Sequence, residues 1–218
     1  MKVYFISGMA ADSRVFRYIQ LPEGFEAVFL DWITPGEGES LASYALRLAQ
    51  RIDTSQPFVV VGLSFGGMLA TEIAKHYTPA ATCLISSIPV SSHLPRYFRT
   101  AARLNLHKIV PVSFIKTSAA AKRFFTDEKP EDKKLLWQII RDSDTRFIRW
   151  SMQAVLSWQN ETVPQPIWHI HGDRDDILPV KYTRPTHTVS KAGHLMVMSQ
   201  PEPVNDWLRN VLLSIKYN

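Results

Sequence analysis

The chain contains 218 residues, of which 45% are hydrophobic and 21% charged, with a formal net charge of +5 and one cysteine. This length fits a single domain that can carry an insertion, and it is sufficient to bury a core without metal ions or disulfides. The composition excludes intrinsic disorder, and one cysteine excludes a disulfide scaffold or a thiolate zinc site. Because no apolar run reaches about 18 residues and Met1–Ile6 lacks the pattern of a secretory leader, we expect a cytoplasmic protein with no integral membrane segment.

Positive charge is concentrated in one part of the chain. Residues 91–160 hold 13 Lys+Arg and 6 Asp+Glu, whereas the remaining residues hold 12 and 14. A basic segment can bind nucleic acid, but here the charges are scattered among many Trp and Phe residues. That distribution is typical of solvated helix faces, so we expect a small-molecule substrate and no nucleic-acid partner. The sequence does not indicate an oligomeric state.

Strands and helices alternate along most of the chain. In chain order, the apolar patterns predict a strand at Lys2–Ile6, a strand at Phe25–Leu30, a helix from Leu41 to Ile52 behind the N-cap Ser40, a strand at Phe58–Val61, a helix at Gly66–His76, strands at Ala81–Ile88, Ile167–Ile170 and Thr186–Val189, and a helix at Val204–Ile215. Such alternation is typical of βαβ units. It predicts an α/β fold with a mainly parallel sheet of about six strands flanked by helices.

The alternation stops between residues 91 and 160, where the pattern is helical only and is punctuated by prolines. We therefore predict a core formed by residues 1–90 and 161–218, with a helical cap domain inserted at 91–160. An insertion after the carboxyl end of a strand lies over the sheet edge at which α/β proteins keep their active sites.

The sequence Gly62-Leu63-Ser64-Phe65-Gly66 lies between a predicted buried strand and a predicted helix. This is the G-x-S-x-G nucleophile elbow in the strand–turn–helix context that it requires. The sharp turn strains the backbone at the serine, and glycine on both sides leaves room for it. The turn also places the serine at a helix N-terminus, where the helix dipole favours a developing negative charge. We therefore predict that Ser64 is a catalytic nucleophile rather than a helix cap.

These residues resemble the α/β-hydrolase fold family, in which a serine, an acid and a histidine follow one another along the chain. The resemblance covers nearly the whole chain outside the insertion, and it implies a serine hydrolase with a Ser-His-Asp catalytic triad. The family's acid follows a strand in a G-x-x-D-x-x-V/I-P pattern, which the run from Gly172 to Pro179 matches with Asp175. Asp173 and Asp176 are near enough to remain candidates.

The resemblance also implies the base and the oxyanion hole. The family's base follows in a G-H loop before the last helix, which His194 matches, whereas His187 lies within a predicted strand and is typical of a half-buried strand histidine. Two backbone N–H groups are expected to hold the oxyanion, one from Phe65 and one from Met9. Ser7 stands where the family has a histidine in the H-G-x pattern of the second donor loop.

Metal and cofactor chemistry are disfavoured. The run from His169 to Asp173 matches the H-x-H-x-D start of a metallo-β-lactamase-type site, with both imidazoles on one strand face. Arg174 stands where the next ligand would be and no other ligand cluster follows, so we expect no metal, and His171 then has a packing or hydrogen-bonding role. No glycine-rich phosphate loop is present, so we expect no nucleotide cofactor, and we expect no other cofactor.

Aromatic residues are frequent in the predicted cap: Tyr97, Phe98, Phe114, Phe124, Phe125, Trp137, Phe147, Trp150 and Trp158. Most of them are expected to hold helices together, but a cap also presents apolar surface to the cleft. This predicts a substrate with an apolar portion, and the positive balance of the cap is compatible with an additional anionic group. His93 and Tyr97 follow the strand that is predicted to end at Ile88, and both are candidates for substrate binding.

The most consistent interpretation is a serine esterase of the carboxylesterase type. Ser64 would attack an acyl carbonyl, His194 would transfer the proton and Asp175 would orient the imidazole. A small carboxylic ester is the default substrate, while a thioester, an amide or a C–C bond next to a ketone stay open. Two alternatives use the same fold and residues: a cofactor-free lyase and a non-hydrolytic protein that senses a small ligand.

Overall fold

A sheet of parallel strands forms the centre of the computed structural model, which describes residues 1–103, 116 and 129–216. Within these residues the sheet has six strands: β1 (Lys2–Ile6), β2 (Glu26–Phe29), β3 (Phe58–Leu63), β4 (Ala81–Ile85), β5 (Ile167–Gly172) and β6 (His187–Val189). The α/β fold and its six strands are thus confirmed. Among the strands, the largest difference from the predicted bounds is at β4, which ends three residues early, where Ser86 turns the chain with a φ of 47°.

Helices flank this sheet: α1 (Leu41–Ala49), α2 (Phe65–Ala74), α3 (Arg96–Arg103), α4 (Pro130–Asp142), α5 (Thr145–Ser157), α6 (Met196–Ser199) and α7 (Pro201–Lys216). Local caps explain several of their starts. The Ser40 hydroxyl accepts from the backbone N–H of Ser43 at 3.1 Å, and the Asp144 carboxylate accepts from that of Arg146 at 2.6 Å. No helix in the described ranges 1–103 and 129–216 combines the length and the apolar character that crossing a membrane requires.

In the strand order β2-β1-β3-β4-β5-β6, the direction in which successive strands are added to the sheet changes once, after β2, while all strands stay parallel. From β1 the chain proceeds outward to β2, and then β3 returns to the other side of β1 and the remaining strands continue away from it. The loops after β1 and β3 therefore diverge at the carboxyl edge of the sheet, which is where open α/β sheets form their binding crevice. Gly8 and Ser64 lie at this point.

Both faces of the sheet are covered by apolar cores, because successive strand residues point to opposite sides. Val60 of β3 belongs to the core that α1 and α2 cover, together with Leu69. Val61 belongs to the opposite core, with Leu208 of α7. All six residues of β3 are buried, as expected for a central parallel strand.

Aromatic rings of α5, which belongs to the segment predicted to form a cap, pack against rings from other parts of the chain. Phe147 and Trp150 of α5 pack against Trp32, Tyr44 and Phe65, with ring centroids 4.4 to 6.1 Å apart. These rings thus join two parts of the structure rather than the helices of the insertion alone.

Polar contacts reinforce this attachment. The Trp158 indole N–H donates to the buried carboxylate of Glu72 at 2.7 Å, and the Tyr18 hydroxyl donates to the buried carboxylate of Asp132 at 2.9 Å. Trp137 is 45% exposed. Three further predicted aromatic residues lie outside the described residues: Phe114, Phe124 and Phe125.

Strand β5 buries two histidines on one face. His169 and His171 are 3% and 0% exposed, and their Nε2 and Nδ1 atoms, respectively, lie 3.1 Å apart. Burial lowers the pKa of His169 to about 3, and the nearby His171 and His93 add to this effect. His169 is therefore neutral in the folded protein over the whole physiological range.

The turn after β3 touches the backbone of β1. A Cβ atom on Gly66 would lie 2.2 Å from the Ile6 carbonyl oxygen and 2.4 Å from that of Ser7, and one on Gly62 would lie 2.3 Å from the Gly66 carbonyl oxygen. Glycine is required at both positions because no side chain fits between these backbones.

We expect His169→Gln to reduce the acid sensitivity of the fold. Below pH 6.5 the unfolded chain takes up a proton at this histidine, whereas the folded chain does not until about pH 3, so the free energy of unfolding falls as the pH decreases through this interval. At pH 5 this costs the wild type about 2 kcal/mol, which the variant should not lose. Urea unfolding at pH 7.5 and pH 5 measures the difference. The exposed His187, changed to Gln, serves as the control and should keep the wild-type pH dependence.

We expect Gly66→Ala to lower the free energy of unfolding by about 3 kcal/mol, because its methyl group would overlap backbone atoms of β1 that cannot move independently. Chemical denaturation measures this loss. Gly193→Ala is the matched control, since a Cβ there meets no atom within 4 Å, and its effect should stay below about 1 kcal/mol. Equal stabilities of the two variants would contradict the close approach of the turn to β1.

Candidate active site

Ser64 lies at the turn between β3 and α2 and has a strained backbone. Its φ and ψ are 52° and −117°, a region that residues other than glycine rarely adopt. The surrounding structure holds this conformation: Ser64 N–H donates to the Ile85 carbonyl at 2.9 Å, and the Ser64 carbonyl accepts from the Ser87 hydroxyl at 2.6 Å. Strain of this kind is characteristic of functional sites, and it projects the serine hydroxyl away from the sheet edge.

The structure brings the predicted base to this serine. His194 lies in the loop before α6, and its Nε2 atom is 2.8 Å from the Ser64 Oγ atom. Its Nδ1 atom is 2.7 Å from Oδ2 of Asp175. Because an ionised carboxylate only accepts hydrogen bonds, Nδ1 carries the proton, and Nε2 is free to accept from the serine hydroxyl.

Asp175 is the member of the aspartate cluster that reaches His194. Its side chain is buried, whereas Asp173 and Asp176 are exposed. Burial alone would raise the pKa of Asp175, but the adjacent His194 and His171 and backbone N–H donors hold the pKa well below its usual range. Asp175 is therefore ionised at neutral pH.

The Asp175 carboxylate is held by donors on both oxygens. Oδ1 accepts from the backbone N–H groups of Ile177 and Leu178, each at 2.9 Å, while Oδ2 accepts from His194 and lies 3.1 Å from Nε2 of His171. These contacts fix the plane of the carboxylate, so its orientation toward His194 does not depend on His194 alone.

His171 is a partner of the acid that the sequence analysis did not identify as such. Its Nε2 atom is 2.7 Å from the Leu178 carbonyl oxygen, which can only accept, so this nitrogen carries the proton and also faces Asp175. Its Nδ1 atom shares a hydrogen bond with Nε2 of His169. The sequence contains one indication of this role, since His171 directly precedes the turn that carries Asp175. A strand pattern does not indicate, however, that the turn folds back and brings Asp175 to this histidine.

The predicted oxyanion donors lie on the two loops that flank the serine. Met9 and Phe65 line one cavity together with Ser64. Ser7, which replaces the expected histidine, donates its hydroxyl to the Ala11 carbonyl at 3.1 Å and thereby closes the loop that contains Met9. The departure from the family pattern thus has a local structural role.

The cavity at Ser64 has a volume of about 450 Å³ and extends from the sheet edge to α4 and α5. Of the residues after β4, Leu94 and Phe98 contribute to its wall. The structure does not bring the two predicted binding residues into this wall. Tyr97 is 51% exposed and donates its hydroxyl to the Ile177 carbonyl at 2.8 Å, and His93 is half-buried outside the lining.

Metal ligands do not converge in this region. Within the described parts of the chain, no group of three or more His, Cys, Asp or Glu side chains is arranged to hold a metal ion. The two imidazoles of β5 are instead engaged with each other and with Asp175.

Comparison with solved structures shows the same fold in proteins of low sequence identity. MenH from S. aureus is 13% identical with a TM-score of 0.77, and the match covers 99% of this chain and 94% of that chain. A thermophilic esterase from Thermogutta terrifontis is 18% identical with a TM-score of 0.70, covering 99% and 90%. A lipase-esterase related protein from Clostridium acetobutylicum is 14% identical with a TM-score of 0.70, covering 96% and 93%.

Comparison of the sequence gives the family. No curated protein matches the chain. The model of the alpha/beta hydrolase family matches residues 3–207, which is nearly the whole chain. The protein therefore belongs to the alpha/beta hydrolase family.

Proposed function

We propose that the protein is a serine hydrolase that cleaves a small carboxylic ester through an acyl-enzyme on Ser64. The observation that carries this proposal is the continuous hydrogen-bonded series from Ser64 through His194 to the ionised Asp175, with distances of 2.8 and 2.7 Å. A nucleophile, a base and a group that orients the base are the parts that acyl transfer needs. Membership of the alpha/beta hydrolase family supports the same chemistry.

In the proposed acylation step, Ser64 Oγ attacks the ester carbonyl carbon while His194 Nε2 takes the hydroxyl proton. Asp175 stabilises the resulting imidazolium. The negative charge that develops on the carbonyl oxygen is held by the backbone N–H groups of Met9 and Phe65. When the C–O bond of the ester breaks, His194 returns the proton to the leaving alcohol.

In the proposed deacylation step, a water molecule replaces the alcohol. His194 takes a proton from this water as it attacks the acyl-enzyme, and the second tetrahedral intermediate is held by the same N–H groups. Its collapse releases the carboxylic acid, and His194 returns the proton to Ser64 Oγ. No redox partner or metal enters this balance.

The proposed role of residues 91–160 is that of a cap over the cleft. In its described part, α4 and α5 supply Leu136, Ile139 and Met152 to the wall of the cavity at Ser64. A cap of this kind excludes bulk water from the oxyanion, which strengthens the electrostatic interactions there.

An ester is favoured over the other acyl substrates by the names of two structural neighbours. The proteins from Thermogutta terrifontis and Clostridium acetobutylicum are named as an esterase and a lipase-esterase related protein. At sequence identities of 18% and 14%, these neighbours show the fold alone, so the choice of an ester as the substrate is our proposal.

We expect Ser64→Ala to abolish labelling by a fluorophosphonate. Hydrolysis of p-nitrophenyl esters should fall to about 10³-fold over the uncatalysed rate, because the oxyanion donors and substrate binding alone can supply that much rate enhancement. Intact-mass spectrometry detects the adduct on the wild type. Ser55→Ala, at an exposed turn, is the control and should be labelled at the wild-type rate. Wild-type turnover by Ser64→Ala would exclude Ser64 as the nucleophile. Absence of both adduct and turnover in the wild type would favour a ligand sensor.

We expect Asp175→Asn to lower kcat on the order of 10⁴-fold near neutral pH, because the amide leaves His194 in the wrong tautomer. The two neighbouring carboxylates provide matched controls. Asp173→Asn and Asp176→Asn, both at exposed positions, should each change kcat by less than about threefold. Steady-state kinetics of the three folded variants decides the assignment, and a larger loss at Asp173 than at Asp175 would show that the acid had been misassigned.

A further inference from the structure

We propose that the cavity at Ser64 selects esters by one uncharged, apolar group of roughly 6 to 10 carbon atoms and rejects groups that carry a carboxylate. This inference rests on the proposed ester hydrolysis at Ser64 and specifies its substrate class. It differs from the sequence analysis, which left an additional anionic group open on the basis of the positive charge of residues 91–160.

The chemistry of the cavity wall supports an apolar ligand. Of the described residues that form it, only Ser64 and His194 have polar side chains, and both belong to the proposed machinery. The remaining wall is formed by glycine, alanine, aliphatic, methionine and phenylalanine residues. A ligand group in this space can therefore gain free energy by leaving water, but it finds no side chain with which to form a new hydrogen bond or ion pair.

Both apolar cores of the protein contribute to this wall. Met68 and Val155 belong to the core on the α1 and α2 face, whereas Val15, Leu136 and Ile139 belong to the opposite core. The cavity that contains Ser64 is therefore lined by side chains from both apolar cores of the protein.

The volume limits the size of the group. At about 30 Å³ for each carbon, the volume that a water molecule occupies, and with roughly half of the space filled, a cavity of about 450 Å³ accommodates roughly 6 to 10 carbon atoms. An acetyl group leaves most of the cavity without ligand contacts. Each added methylene should strengthen binding about fourfold until the cavity is filled.

The charges of the described insertion do not reach this space. Arg146 and Arg149 of α5 are exposed and line a separate surface groove beside Glu39. The ionised Asp175 lies directly behind His194. Among the described lining residues, a carboxylate at the end of a bound chain would therefore lose hydration without gaining a cation, which is strongly unfavourable.

The test separates binding from turnover. Isothermal titration of Ser64→Ala with methyl acetate, methyl butanoate and methyl octanoate measures the dependence on acyl length, and octyl acetate presents the same chain on the alcohol side. We expect at least about 100-fold tighter binding of methyl octanoate or octyl acetate than of methyl acetate. Monomethyl octanedioate, which ends in a carboxylate, should bind at least about 100-fold more weakly than methyl octanoate.

Two adjacent positions on α5 provide a matched pair of variants in the Ser64→Ala background. Met152 lines the cavity, whereas Gln153 is exposed and does not. Met152→Trp narrows the cavity, so the preference for the octyl compounds should fall at least about tenfold, and Gln153→Trp should keep it. Thermal unfolding confirms that both variants are folded.

The outcomes for the two proposals differ. Equal affinity for methyl acetate and the octyl compounds, or equal affinity for methyl octanoate and its carboxylate analogue, overturns the inference whatever the wild type hydrolyses. The expected chain-length preference in binding, combined with no turnover of any ester by the wild type, overturns the proposed hydrolysis and leaves the apolar specificity established. Loss of the preference in both tryptophan variants would also count against the cavity as its source.

Discussion

The strained turn at Ser64 depends on the direct contact between the backbones of β1 and α2. Gly66 lies so close to the carbonyl groups of Ile6 and Ser7 that no side chain fits between them. On its other side, the turn is held by hydrogen bonds to Ile85 and Ser87 at the end of β4. The central position of β3 between these two strands is therefore what fixes the direction of the serine hydroxyl. The same contact lies next to the loop that contains Met9, so the nucleophile and both proposed oxyanion donors are close together at the carboxyl edge of the sheet.

The second constraint is electrostatic, since an ionised carboxylate has to be kept in an interior without bulk water. Asp175 meets it with two backbone N–H groups on one oxygen and two imidazoles on the other. The second ring nitrogen of His171 forms a hydrogen bond with another buried imidazole, that of His169, whose burial keeps it neutral. The strand β5 thus places two titratable groups in the core in order to orient a third. In the proposed mechanism, this arrangement means that Asp175 is already aligned before His194 becomes charged, so little reorganisation is needed during the reaction.

The sequence predicts those features that depend on local patterns. The elbow, the alternating strands and the order of serine, acid and histidine are readable because each is a short motif in a recognisable context. The residues facing the cavity were not predictable in the same way, because they depend on where the helix after β4 begins. With α3 starting at Arg96, Leu94 and Phe98 contribute to the cavity wall while the adjacent Tyr97 is turned toward solvent. The helix therefore places Phe98 in the cavity wall instead of Tyr97, the adjacent residue that the sequence analysis had chosen. The choice among the three aspartates likewise depends on how the turn after β5 folds back, and here the family spacing supplied what the local pattern could not.

Phe65 connects the nucleophile turn to α5, which belongs to the proposed cap. The Phe65 ring packs edge-on against Phe147 and Trp150 of α5, while the Phe65 backbone N–H is one of the two proposed oxyanion donors. Because the ring and the N–H belong to one rigid turn, the position of α5 is coupled to the geometry at which negative charge would develop. The same helix supplies Met152 and Val155 to the cavity wall. A bound apolar group that completes the packing of α5 would therefore also stabilise the position of Phe65. In this arrangement, part of the binding energy of a long chain can be used to hold the oxyanion donor, and chain length is then expected to affect kcat as well as KM.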